Sequence, residues 1–203
     1  MISLSEIDTT SKRATKAAGF SWGIAEEVGK NTRLLELYGL PGIKNLNEYS
    51  KNYKNKHYQK ASLISEINDS QKIPYCPITL GTNFLDQVSF LHKITEIQFK
   101  NVAFPLLFLP FASRASEVIG KRIFLKIDER EFLLNFNQSI YSNYLKSEII
   151  ENSKLIKISY IENKNTFEEK EWKEIYKLSE DTFVKESDSL KIDGAGAGLT
   201  DND

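Results

Sequence analysis

The sequence predicts an α+β fold: an N-terminal helical segment, a central antiparallel sheet, a C-terminal covering helix and an extended Gly/Ala tail. Three observations carry this. Apolar residues recur at helical spacing, with capping residues at the ends of the runs, through the segment 1–92. Over 93–162 the period shortens towards two, and β-branched and aromatic residues are plentiful. A last helical stripe covers 167–183 and a Gly-Ala thread follows it. The 203 residues are 40% hydrophobic and 27% charged, enough apolar side chain for a packed core. We expect a single domain over 1–190, with 191–203 as its tail.

The elements follow in order. Ser3 and Glu6 have capping-box spacing, and a helix from Ser5 to Ala18 stops at Gly19. Ser21 caps a second helix, Trp22 to Tyr38, with Ile24, Val28 and Leu35 on one face; Gly39 and Pro41 end it. Gly23 and Gly29 inside this helix each cost about 1 kcal/mol against Ala. At Gly29 a neighbouring backbone or a ligand can approach closely, and tight helix packing is the simpler explanation. Ile43, Leu46, Tyr49 and Tyr53 mark a third helix. Pro74 and Pro77 make Lys72–Gly81 an extended connection before a helix over Thr82–Leu91. Leu106–Phe111 and Lys121–Ile127 read as strands, with a short helix Ser113–Ile119 between them ended by Gly120. Asp128-Glu129-Arg130 is a turn, Phe132–Phe136 its hairpin partner, and Lys154–Ile161 a half-buried strand. Phe167–Phe183 is a helix with Trp172, Ile175, Tyr176 and Phe183 on its apolar stripe.

Composition excludes several function classes. Lys plus Arg is 27 against 28 Asp plus Glu, so no global field points to nucleic acid or an anionic membrane. One Cys excludes an internal disulfide and a cysteine zinc cluster, and two His exclude a three-histidine metal site. The N-terminus lacks the basic start and apolar core of a signal peptide. The longest apolar run, Val102–Ala112, is about half a membrane span and is broken by Pro105 and Pro110. A soluble, cytoplasmic chain is expected. Lys far outnumbers Arg and Ile far outnumbers Val, as an A/T-rich genome produces, so a lysine-rich segment alone says little. Tyr49–Lys60 interleaves four Lys with Tyr49, Tyr53, His57 and Tyr58. That combination suits single-stranded nucleic acid, but without Arg we read it as a solvated helix face.

Glycine marks the two unusual segments, residues 13–42 and 194–203. Gly194, Gly196 and Gly198 have GxGxG spacing with five residues after them, so neither a dinucleotide fingerprint nor a P-loop is present. Asp201, Asp203 and the terminal carboxylate could hold a divalent cation or dock in a basic pocket; a disordered tip is the simpler alternative. On the second helix, Glu26, Lys30 and Arg33 share a face. A carboxylate beside cations suits the helix dipole, which is the simpler explanation; a carboxylate with an Arg on the same face could also transfer a proton and hold an anionic substrate. Cys76 is either a nucleophile or a small buried hydrophobe. His57 and His92 have no context that marks them as bases, and no serine nucleophile elbow occurs.

Gly19-Phe-Ser-Trp-Gly-Ile-Ala-Glu-Glu-Val-Gly29, Leu40-Pro-Gly42, Cys76-Pro-Ile-Thr-Leu-Gly81 and the terminal Gly194-Ala-Gly-Ala-Gly-Leu-Thr-Asp-Asn-Asp203 resemble a bacterial family known only as a domain of unknown function, of about this length. The decapeptide is its most specific part. The resemblance implies no activity, and it suggests members encoded near metabolic enzymes.

Two functions stay open. In the first the chain binds or transforms a small anionic metabolite where the second helix, the Cys76 loop and the tail converge. Glu26, Glu27 and Cys76 are then the candidate catalytic groups. Arg33 or Arg114 holds the anion, and Trp22, Gly194, Gly196, Gly198, Asp201 and Asp203 complete the site. In the second the chain is an accessory subunit whose tail docks into a partner enzyme. No metal, cofactor or oligomeric state is assigned.

Overall fold

Side-chain caps and proline positions place the helices. In a computed structural model that describes residues 2–53, 57–144 and 148–182, Ser3 accepts the Glu6 N–H at 3.1 Å and opens α1, Leu4–Ala17. Ser21 accepts the Ile24 N–H at 3.4 Å and opens α2, Trp22–Leu37. Gly39, at φ +72°, turns the chain out of α2 in the left-handed region that favours glycine. α3 is Gly42–Tyr53. The next helix, α4, is Pro77–Leu91 and begins five residues before the expected Thr82. Two prolines suggest extension, but Pro77 occupies the first turn, where no N–H is needed.

The strands form one six-stranded sheet. They are β1 (Ile67–Asp69), β2 (Glu96–Ala103), β3 (Arg122–Ile127), β4 (Arg130–Asn135), β5 (Ser139–Ser142) and β6 (Asn152–Ile161). Their spatial order is β1-β2-β6-β3-β4-β5. The sheet is mixed rather than wholly antiparallel, because β1 pairs parallel with β2 across α4, the crossover that a parallel pair needs. The remaining pairs are antiparallel.

The expected strand Leu106–Phe111 is a correction. After β2 the chain makes a 3₁₀ turn at Pro105–Leu107 and enters α5, Leu109–Ile119. A continuous apolar run cannot by periodicity separate a buried strand from a buried helix. This run is apolar all round because it is buried on both sides. Phe108 packs on Phe99 of β2 (ring centroids 5.7 Å apart) and on Phe84 of α4 (5.4 Å), while α3 lies on the 3₁₀ turn and α2 on α5.

Layering follows from alternation. Ile123, Leu125 and Ile127 of β3, Phe132 and Leu134 of β4, and Ile156 and Ile158 of β6 point into the core. α4 and α5 lie on that face, α2 packs on both, α3 packs on α2 and the 3₁₀ turn, and α1 packs on α2. Lys126, Lys157, Leu155 and Phe124 occupy the other face and are partly exposed.

The chain divides into two units, Met1–Asn163 and Lys164–Asp203. The second contains α6, Glu169–Glu180, a capping-box helix with no buried residue. The tail residues expected to complete a site, Gly194, Gly196, Gly198, Asp201 and Asp203, lie outside the described residues. Among the described residues no helix is long and apolar enough to cross a membrane.

Candidate functional site: a cysteine–tyrosine cavity

Cys76 is held from both sides in sequence. Before it, Tyr75 is stitched beside the end of β2: its N–H donates to the Asn101 carbonyl at 2.8 Å and its carbonyl accepts the Ala103 N–H at 3.1 Å. The Cys76 N–H donates to the Gln59 carbonyl at 3.0 Å. After it, Cys76 caps α4, its Sγ accepting the Thr79 N–H at 3.4 Å. The thiol therefore sits at the positive end of a fifteen-residue helix.

The Tyr49 hydroxyl lies 3.0 Å from Cys76 Sγ. Tyr49 is 1% exposed and is ringed by Tyr53, Tyr58 and Phe104, with centroids 5.4, 5.4 and 5.9 Å away. Burial, and then the neighbouring thiol and phenols, push its hydroxyl well above the usual tyrosine range. Burial, and then the neighbouring Cys76 thiol, also raise Tyr53 and Tyr58. All three stay neutral O–H donors near pH 7. The Tyr58 hydroxyl is buried and has no hydrogen-bond partner among the described residues. Phe104 stands at φ +42°, a left-handed conformation uncommon for a bulky side chain. Tyr53, His57, Tyr58, Lys60, Cys76 and Thr79 line a cavity of about 260 Å³. Its chemistry is a thiol, a helix N-terminus, phenol donors and a basic rim from His57 and Lys60. That set suits a small ligand carrying a negatively charged or hydrogen-bond-accepting group.

The other predicted residues form a separate polar cluster. Glu27 of α2 pairs with Arg114 of α5, and Lys30 lies 3.3 Å from Glu27 and 3.7 Å from Glu26. Burial alone raises the Glu27 carboxyl, but the hydrogen bonds and charges of Arg114 and Lys30 outweigh it and hold the group below its ordinary value. Arg33 turns away from Glu26 to Asp8 of α1, at 3.7 Å. Trp22 is exposed, with Lys16 Nζ 5.6 Å from its ring centroid. The structure thus joins Glu27 with Arg114, and places Cys76 among tyrosines instead.

Sequence reasoning missed Tyr49, Tyr58 and Thr79. The stretch Tyr49–Lys60 reads as a solvated face, yet Tyr49 is core and Tyr53 and Tyr58 are half-buried. The available signal was aromatic: Tyr49 and Tyr53 lie one turn apart on the apolar stripe of α3. Among the described residues no group of three or more His, Cys, Asp or Glu is placed to hold a metal ion.

Residues 2–75 match the model of a family described as a protein of unknown function (DUF3726). No curated protein and no solved structure matches the chain. The matched segment covers α1 to α3 and β1, and it ends one residue before Cys76. Two of the motifs that carry the resemblance, Gly19–Gly29 and Leu40–Gly42, fall inside it.

Proposed function

We propose that this chain is a small-molecule-binding protein of metabolism whose ligand occupies the cavity between the end of α3 and the start of α4. The observation that carries the reading is the wall of that cavity. It combines a thiol at a helix N-terminus with Tyr58, whose buried hydroxyl has no partner among the described residues, and an unmade hydrogen bond is costly to leave in a folded protein. The site is assigned there rather than to α2 because Arg114 already engages Glu27 and Asp8 engages Arg33. The expected ligand is a small carboxylate or phosphate ester with an apolar body.

Thermal-shift and titration measurements on the full chain, with a panel of mono- and dicarboxylic acids and phosphate monoesters, test this. A binder at a hundredfold excess over its Kd adds about 2.7 kcal/mol. The shift should shrink in Tyr58→Phe and Cys76→Ala. Equal shifts in those variants and the parent would remove the cavity from the account. A chain ending at Ile192 measures any share of Gly194–Asp203 in binding.

A second reading, an accessory subunit of a metabolic enzyme, draws on α6. Trp172, Ile175 and Tyr176 lie on one stripe of this helix, which buries none of its residues. Substituting all three by Ser should abolish co-purification of a partner enzyme from the native host. Purification of the parent chain alone argues against this role.

A further inference from the structure

We propose that the sheet face opposite α4 and α5 carries a second site, for a di- or triphosphate group, built on Lys126, Lys154 and Lys157. The inference does not rest on the Cys76 cavity.

The register of the sheet is the starting point. Lys126 of β3 stands directly opposite Lys157 of β6. Like charges directly opposite on one face destabilise a sheet. Glutamine or threonine would serve the same half-exposed positions without that repulsion. Beside the pair lies a cavity of about 660 Å³, into whose lining Lys154, Asn152 and Leu155 also enter. Lys154 is exposed and has no ion-pair partner among the described residues.

Acidic residues near the site do not close it. Asp128 lines the same cavity, but one carboxylate oxygen accepts the backbone N–H groups of both Lys154 and Leu155, each at 3.0 Å. It thereby builds the floor of the site. Lys126 has Glu131 at 3.4 Å and Glu129 at 3.8 Å, and Lys157 has Glu96 at 3.5 Å. Glu129 is 96% exposed, and the other carboxylates are also partly in solvent. Such pairs are weak and exchangeable. A ligand with several negative oxygens can displace them, bridge the opposed ammonium groups and engage Lys154 at once. Lysine suits this work, because it meets phosphate as a mobile point charge. A single phosphate spans less of the lysine set, so affinity should rise with chain length.

The test is a titration of the ¹⁵N-labelled full chain at low salt with inorganic phosphate, pyrophosphate, tripolyphosphate and ADP. We expect binding in the order tripolyphosphate, pyrophosphate, phosphate, weakening as salt rises. Amide shifts should centre on Lys126, Lys154 and Leu155. The Lys126→Gln/Lys157→Gln double variant should lose about tenfold in pyrophosphate affinity. Cys76→Ala should bind pyrophosphate like the parent, which separates this site from the cavity. ADP binding tighter than pyrophosphate makes the source a nucleotide, and equal binding makes it the phosphate chain alone; either upholds the site. Absence of shifts at millimolar pyrophosphate, or unchanged affinity in the double variant, overturns it.

Discussion

Glu27 shows how one side chain reports on the fold. Its partner Arg114 lies 87 positions along the chain, so no local pattern could have paired them. Because its folded value lies below the ordinary 4.5, ionised Glu27 contributes stability above that pH, and the contribution is lost as pH falls through the lowered folded value. Glu27→Gln should therefore destabilise the protein by about 1 kcal/mol at pH 7, discounted for partial exposure. The gap between variant and parent should close as the pH is lowered past 4.5, read from urea midpoints across pH. What was legible at this scale was short-range: Ser3, Ser21, Gly39 and Gly120 each stand at a helix end. The Cys76 environment was not, because Tyr49 reaches the thiol from a different helix, 27 residues away.

Two glycines of α2 separate helix propensity from packing. A methyl added at Gly23 meets nothing within 4 Å, so Gly23→Ala should stabilise by up to about 1 kcal/mol. At Gly29 the same methyl falls 2.7 Å from the Asp8 carbonyl oxygen and 3.1 Å from Lys12 Cβ. Gly29→Ala should therefore destabilise, since α1 would have to move away. The close approach anticipated at Gly29 is thus the backbone of a neighbouring helix. Gly81 of α4 lies against the ring of Phe111 of α5, and Gly81→Ala should cost about 1–3 kcal/mol by overpacking. Chemical denaturation of the three variants checks all the signs. Elements with one solvated face, such as α3 and β3, were legible because their burial alternates with the right period, and α1 was legible from its capping residues and Gly19. Phe104–Phe111 was not, because a segment buried on every side keeps no period, and the three-residue β1 is too short to show one.

Across the whole molecule, β6 lies between β2 and β3 while β1 and β5 are edges. Amide exchange should accordingly be slowest at Ile156 and Ile158 and fastest along β1 and β5. Reversed protection would contradict the strand order. The general class, helices followed by a sheet, was readable from composition and period. The mixed order was not, since pairing between distant strands leaves no local trace. The boundary of the recognisable segment has a consequence for synthesis on the ribosome. Residues 2–75 contain Leu35, Leu46 and Tyr49, whose helices close on Ile78, Phe104, Leu107 and Phe111. When Tyr75 leaves the exit tunnel, none of these partners has emerged. The first three helices must therefore wait, with an apolar flank uncovered, until about thirty-five more residues have followed. What is recognisable as a family segment is half of a mould, and a nascent chain stalled at that length is a natural client for a chaperone.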